Sequence, residues 1–142
     1  MLSTIIQASE NFCIHQIRVP HTLCDEIAKT RTLIASIDIE TPSGEKHRVY
    51  IASDAKFMQR ISKLFLEEDE SDEETLIDMT LETANLIVGS AKVIAEETNI
   101  NTYTIGTPSF KKFDNFDFEY DQAKLIQMED DILIIAIKKL RN

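Results

Sequence analysis

The chain has 142 residues, enough for one domain with its own core, so we expect a single domain over residues 1–142. Its 25 acidic and 15 basic residues give a formal net charge of −10, which would repel phosphate backbones and anionic lipids, so we expect neither nucleic-acid nor membrane binding. No segment approaches the roughly 20 apolar residues of a membrane span, and the first residues carry no basic signal-like start, so we expect a cytoplasmic protein.

Two cysteines raise the question of a disulfide or a metal site. Cys13 and Cys24 are too few for a disulfide scaffold, and we expect them to be free thiols. With His15 and His21 they form a cluster in the sequence, but the spacing matches no established zinc pattern. The sequence therefore predicts no metal site and no cofactor of the protein's own.

The first part of the chain favours strands. Residues 12–19 alternate apolar and polar side chains, as a half-buried strand does. Residues 19–30 fit either a short helix or a loop. Residues 32–40 and 45–52 are separated by Thr-Pro-Ser-Gly, a turn sequence that predicts a hairpin.

Two helices are predicted in the middle of the chain. The first begins at Ser53 and Asp54, and its apolar residues recur at helical spacing: Phe57, Ile61, Leu64 and Phe65. It ends at residues 67–74, where seven of eight side chains are acidic, a composition typical of a solvated loop. Residues 71–74 also match a capping box for the next helix. That second helix is predicted from about residue 72 to residue 97.

The rest of the sequence predicts short strands: NTYTIGTPSF, FDFEY, AKLIQM and DILIIAIKKL. They are separated by Pro108 and by residues 114–115, 121–122 and 129–131. Strands before and after a helical middle indicate an α+β fold, in which two long central helices pack on a mostly antiparallel sheet.

The long predicted helix is apolar on nearly every side, which is typical of a buried helix, except along one line. At about 100° per residue, six residues lie along that line, which we call the polar stripe: Asp78, Glu82, Asn85, Gly89, Lys92 and Glu96. Asn is a mediocre helix former, and Gly costs about 1 kcal/mol against Ala in a helix interior. Gly89 also leaves the stripe without side-chain bulk, which lets another molecule's backbone come close.

Two interpretations of the polar stripe follow. It is either the solvent face of an amphipathic helix, with Gly89 serving packing inside the domain, or a ridge that carries a carboxylate and an amide into a partner's site. The stripe alone does not decide between them.

The spacing within the stripe resembles the signature of a known family. Asp78-x-x-x-Glu82-x-x-Asn85, followed by Gly89 and by Pro108 in IGTPSF, is similar to the motif of the CheC/CheX/FliY family of chemotaxis phosphatases. The chain length, the single copy of the motif and the order of strands and helices are most similar to CheX. The resemblance covers the whole chain in layout and is specific over about residues 78–108.

This resemblance implies a reaction and a partner. Family members are α+β domains that hydrolyse the phospho-aspartate of a CheY-type receiver, and CheX types form homodimers. The motif makes Glu82 and Asn85 the catalytic residues, and it gives Asp78, Gly89 and Pro108 structural or docking roles.

The chemistry asks little of such a phosphatase. The receiver supplies the magnesium ion and a lysine, so the enzyme mainly positions a water molecule. The hypothesis is that Asn85 orients the attacking water and that Glu82 pairs with the receiver's lysine, since residues three apart on a helix can enter one site together.

Two alternatives stay open at this point. The chain could be an adaptor of the same fold that binds a receiver or a flagellar switch component without useful activity, or an unrelated α+β domain whose stripe faces solvent by chance. The first predicted helix carries no second E-x-x-N, so one site per chain is expected. For a homodimer, residues 12–19 or 131–140 could form an edge strand that pairs with its copy.

Overall fold

The computed structural model describes residues 2–18, 20–27, 29–98 and 102–141, with the backbone alone at positions 14 and 15. Within these ranges three α-helices pack on a seven-stranded antiparallel sheet. The predicted α+β class is confirmed, and one helix is added to the two that the sequence predicts. None of the described helices combines the length and the apolar character that crossing a membrane requires.

The elements have the following bounds. The helices are α1 (Leu2–Phe12), α2 (Ala55–Leu66) and α3 (Glu73–Glu97), and a π-helix (Cys13–Ile17) continues α1. The strands are β1 (Thr22–Cys24), β2 (Arg31–Glu40), β3 (Lys46–Ser53), β4 (Thr104–Ile105), β5 (Ser109–Asn115), β6 (Gln122–Met128) and β7 (Asp131–Leu140).

The N-terminal segment is helical, so the strand predicted for residues 12–19 is wrong. The Arg18 N–H donates to the Cys13 carbonyl at 2.7 Å, and Arg18 ends the π-helix with a left-handed φ of 63°. Phe12, Cys13 and Ile17 are buried. The alternating apolar pattern of residues 12–19 therefore does not indicate a strand. It places these side chains on one side of a helical segment.

The segment predicted as a short helix or loop, residues 19–30, contains the short strand β1 instead. β1 pairs with β6 at one edge of the sheet. Positions 19 and 28 of this segment lie outside the described residues, as does position 101 at the start of the predicted strand NTYTIGTPSF. Cys13 and Cys24 are free cysteines, as predicted.

β2 and β3 form the predicted hairpin. Their pairing reaches Glu40 opposite Lys46. The Gly44 N–H donates to the Thr41 carbonyl at 2.9 Å, and Gly44 has a φ of +91°, a conformation that favours glycine. The turn predicted from the Thr-Pro-Ser-Gly sequence therefore forms in the structure.

The position of β7 excludes one route to a dimer. The strands lie in the order β1-β6-β7-β3-β2, and both β4 and β5 pair with the free side of β2. β7 is hydrogen-bonded on both sides, and residues 131–137 are buried in succession. The prediction that residues 12–19 or 131–140 form an edge strand is therefore wrong. The edges of the described sheet are β1 on one side and β4 and β5 on the other.

The sheet is covered on both faces by different means. The helices cover one face, and residues 116–120 cover part of the other. Phe116 and Phe118 pack on Tyr50, with ring centroids 5.5 and 4.9 Å from it. The strand predicted for FDFEY is therefore wrong, because its alternating rings cover an apolar face instead of joining a ladder. Residues 114–115, predicted as a break, still pair with β2 as the end of β5.

An aspartate caps each of the two long helices. Asp54 Oδ1 accepts from the Phe57 N–H at 2.9 Å, as the predicted start of α2 requires. Asp72 Oδ1 accepts from the Thr75 N–H at 2.8 Å. The cap of α3 is thus Asp72, one residue later than the Ser71 of the predicted capping box.

The acidic connection between the two helices, residues 67–72, is largely exposed, as predicted. One amide side chain holds it in place. Gln59 Nε2 donates to the Glu68 carbonyl at 3.0 Å, and Gln59 Oε1 accepts from the Ser71 N–H at 2.7 Å. Because Ser71 adjoins the cap of α3, this amide sets where α3 begins relative to α2.

Candidate functional site

The polar stripe lies at the surface of α3, as predicted. Asp78, Glu82, Asn85 and Glu96 are exposed, and Gly89 and Lys92 are half-buried. The opposite face is buried through Leu76, Met79, Thr80, Thr83, Ala84, Ile87, Val88, Ala91 and Ala95. The apolar flank beside the stripe is less buried than the pattern indicates, since Leu86 and Val93 are 40% and 50% exposed.

Glu82 and Asn85 are both exposed at the surface of α3. Among the described residues, neither side chain makes a hydrogen bond or an ion pair, and the same holds for Asp78. Glu82 and Asn85 are separated by about 4.5 Å along the helix axis, close enough for both to reach one object. Together they offer a carboxylate that accepts and an amide that both donates and accepts hydrogen bonds.

The C-terminal end of the stripe is hydrogen-bonded to the segment that follows α3. Thr102 Oγ1 donates to Glu96 Oε1 at 3.3 Å, which ties the end of α3 to the segment after it. Lys92 has no ion partner within the described part of the chain. Within the described part of the chain, the unpaired polar side chains of the stripe therefore lie between Asp78 and Lys92, before Glu96.

Packing among the described residues does not require a glycine at position 89. A Cβ built at this position meets no atom of the described residues within 4 Å, apart from the adjoining helix backbone. Since Ala would fit here and is the better helix former, internal packing does not account for the glycine. The solvent-face interpretation loses its explanation for Gly89.

A buried tyrosine holds the middle of α3, and sequence reasoning missed it. Tyr103 is 2% exposed, and its hydroxyl donates to the Val88 carbonyl at 3.0 Å, next to Gly89. Burial raises the pKa of Tyr103 well above its ordinary range, so the hydroxyl stays protonated as a donor. No sequence pattern pairs these residues, because the contact joins a loop to a helix carbonyl.

Pro108 is not linked to the polar stripe by hydrogen bonds among the described residues. It is half-buried in the connection between β4 and β5. The nearby Gly106 approaches β2 closely: its N–H donates to the Asp38 carbonyl at 2.8 Å, and a Cβ would lie 3.1 Å from that oxygen. Among the described residues, no hydrogen bond joins residues 106–108 to the stripe.

The nucleophilic and metal-ligating side chains do not gather at a second site in the described part of the chain. No three of its His, Cys, Asp and Glu side chains are placed to share a metal ion. Burial raises the pKa of the Cys13 thiol to about 12, so it stays protonated and inert. What the surface of α3 offers chemically is a carboxylate and an amide presented to another molecule.

A protein-family model described as chemotaxis phosphatase CheX matches residues 34–128. The match runs from β2 to the end of β6, so it includes both long helices and the entire polar stripe. No curated protein matches the sequence.

Solved structures share the fold over nearly the whole chain. CheX from Vibrio vulnificus is similar with a TM-score of 0.76 at 16% identity, over 96% of this chain and 98% of that one. CheX from Desulfovibrio desulfuricans gives 0.74 at 14% identity, over 97% of each chain. The CheX-CheY-BeF3-Mg²⁺ complex from Borrelia burgdorferi gives 0.69 at 14% identity, over 96% of this chain and 97% of that one.

Proposed function

Since the chain belongs to the family of the chemotaxis phosphatase CheX, we propose that it accelerates hydrolysis of the phospho-aspartate of a CheY-type receiver in the cytoplasm. Glu82 and Asn85 are the catalytic residues of this proposal. Asp78 and Gly89 line the docking surface, and Pro108 shapes the β4–β5 connection.

One observation carries the proposal. On a single line of α3, an exposed carboxylate and an exposed amide have no partner among the described residues, and the glycine one turn later has open space before it. A stable fold requires none of these three features. A surface that must admit another protein's backbone and act on its phosphoryl group requires all of them.

The chemistry assigns one role to each side chain. The Asn85 amide orients a water in line with the phosphorus, because an amide can accept from and donate to the same molecule without titrating. The Glu82 carboxylate pairs with the receiver's lysine and so sets the angle at which α3 enters. Holding the water in this position lowers the activation free energy of hydrolysis, because the entropic cost of positioning the water is met when the two proteins bind.

The receiver supplies the remaining groups. The related complex from Borrelia burgdorferi is described with CheY, BeF3 and Mg²⁺, and this supports placing magnesium in the receiver. Magnesium neutralises the charge that develops on the phosphoryl oxygens, and this chain contributes the water-positioning amide.

We propose a homodimer as the working form. The described edges, β1 and the β4–β5 side, are the strands with free backbone groups for pairing with a second chain. Sedimentation at tens of micromolar tests this, and a monomer under those conditions contradicts it.

The test is the decay of a phosphorylated CheY-type receiver with magnesium. We expect this protein to accelerate the decay. Asn85→Ala should reduce that acceleration about 100-fold. Glu82→Ala should reduce it and weaken binding of the receiver as well. Asn115→Ala, an exposed asparagine at the end of β5, is the matched control.

Two results would overturn the proposal. Full activity of Asn85→Ala removes the mechanism. Binding of the receiver by the parent protein without any acceleration makes the protein a non-catalytic adaptor of the same fold.

A further inference from the structure

An apolar groove opens beside the polar stripe, between α1, the end of α2 and α3. Its volume is about 370 Å³. Leu86 and Ser90 line it on α3, and Phe65 lines it at the end of α2. Phe12 of α1 also lines it, with its ring packed edge-on against Phe65 at a centroid distance of 6.3 Å.

The groove exposes large apolar side chains that the fold does not cover. Leu86 and Phe65 are each 40% exposed, whereas Phe12 is 7% exposed and Ile87 1%. The groove thus has buried apolar residues inside and accessible ones at its mouth. Apolar recesses of this kind are typical of sites that receive an apolar group from a partner.

The groove and the polar stripe form one continuous surface. Leu86 directly follows Asn85 in the sequence and lies one turn after Glu82, on the flank of the stripe. Ser90 follows Gly89 in the same way. A protein that contacts Glu82 and Asn85 is therefore within reach of the mouth of the groove.

We propose that the groove receives one apolar side chain from the receiver surface beside the phosphorylated aspartate, and so helps to determine which receiver is accepted. This inference rests on the proposed function. The groove has a volume of about 370 Å³, so it suits a single side chain better than it suits a helix from a second copy. A helix with its side chains is about 10 Å in diameter. An apolar anchor bordered by charged groups such as Glu82 is the usual arrangement at the centre of a specific interface.

The experiment measures binding separately from catalysis. A CheY-type receiver activated with beryllofluoride and Mg²⁺ is titrated with the parent protein and three variants. Leu86→Ser removes one wall of the groove, and Ser90→Leu fills the groove without deleting any contact. Leu64→Ser is the matched control, since Leu64 is 45% exposed, adjoins Phe65 in sequence and does not line the groove.

We expect both groove variants to bind about tenfold more weakly than the parent. The control binds as the parent does. At saturating concentration the groove variants retain the parent's rate of receiver dephosphorylation, because Glu82 and Asn85 are intact. Circular dichroism confirms that each variant is folded.

The contrary outcomes are distinct. Parent-like binding of both groove variants, or equal weakening by Leu64→Ser, overturns the inference. Conversion of a dimer to a monomer by Leu86→Ser assigns the groove to a second copy and overturns it too. Weakened binding in the groove variants, with no acceleration by the parent, leaves the groove standing while the proposed function fails.

Discussion

The two long helices use their polar surfaces in opposite ways. On α2 the polar side chains hold the molecule together. Arg60 donates to Asp131 Oδ2 at 2.8 Å and to Glu129 Oε2 at 3.2 Å, and both acids belong to the β6–β7 corner. Gln59 bonds the connection to α3. The polar side chains of Gln59 and Arg60 on α2 are thus explained by contacts within the fold.

On α3 the corresponding side chains bond to nothing in the described part of the chain. Asp78, Glu82 and Asn85 are exposed and unpaired, and Gly89 faces open space. The contrast teaches that a polar helix face alone carries little information about function. What distinguishes a candidate interface is polar groups that the fold leaves unused, together with a residue that weakens the helix for no internal reason.

The largest expected effect tests whether the polar surface of α2 is structural. Arg60→Met leaves the Asp131 carboxylate, 6% exposed, without its cation, and we expect a loss of about 2 kcal/mol in the free energy of unfolding. Receiver dephosphorylation by the folded protein should not change. Urea denaturation measures the first and receiver decay the second.

The control for Arg60 is an exposed ion pair between α2 and the connection that follows it. Lys63 and Asp69 lie 3.4 Å apart with side chains 70% and 84% exposed, so Lys63→Ala should cost less than about 0.5 kcal/mol. If Arg60→Met slowed dephosphorylation of the receiver without loss of stability, the polar surface of α2 around Arg60 would belong to the interface and the comparison would fail.

Gly89→Ala tests the other half of the comparison, with a smaller effect on stability. We expect the variant to be more stable by about 1 kcal/mol, because Ala is the better helix former and its methyl meets open space. We also expect weaker binding of the receiver, because the methyl keeps the receiver's backbone away. Glu73→Ala, an exposed position on α3 outside both the stripe and the groove, should leave binding unchanged.

The two outcomes for Gly89→Ala separate the interpretations of the stripe. A variant that is more stable and binds less well identifies a surface kept open for a partner. A variant that is more stable and fully active shows that the receiver's backbone does not come close at this turn.

The smallest expected effect concerns the two capping aspartates, whose pKa values shift in opposite directions. Burial raises the pKa of Asp54 above its ordinary value of 3.8. Hydrogen bonds from Thr75 lower the pKa of the exposed Asp72. Asp54 therefore contributes stability that is fully present below about pH 4 and is lost as the pH rises through its folded pKa. Asp72 contributes stability that is present above about pH 4 and is lost as the pH falls through its folded pKa.

Urea denaturation between pH 3 and pH 7 checks this sign. Relative to Asp54→Asn, the parent should gain stability as the pH falls. Relative to Asp72→Asn, the parent should lose stability as the pH falls. Parallel pH profiles for the two variants would contradict the difference between the caps.

Elements with strong local signals were predicted well from the sequence. The hairpin of β2 and β3 follows from its turn residues, and α2 and α3 follow from apolar periodicity and from polar residues near each start, although Asp72 and not the predicted Ser71 caps α3. The polar stripe follows from periodicity alone, and the match of the CheX family model confirms the family that its spacing resembles.

Elements decided by distant contacts were not predicted. The alternation in residues 12–19 fits a strand locally, but Phe12 and Ile17 are buried on one side of a helical segment. Residues 116–120 have strand-like alternation, yet their rings pack on Tyr50 and cover the outer face of the sheet. A local sequence pattern indicates which side chains are buried. It does not indicate which other part of the fold covers them.

The sequence by itself determined that one helix carries a carboxylate, an amide and a glycine on one line, because helical geometry converts spacing into position. Only the tertiary structure decided that the carboxylate and the amide have no partner among the described residues, that none of those residues packs where a Cβ at Gly89 would lie, and that an apolar groove adjoins them. The reason is physical: exposure and pairing depend on which distant segments, such as Phe12 and Phe65, come to lie beside the helix.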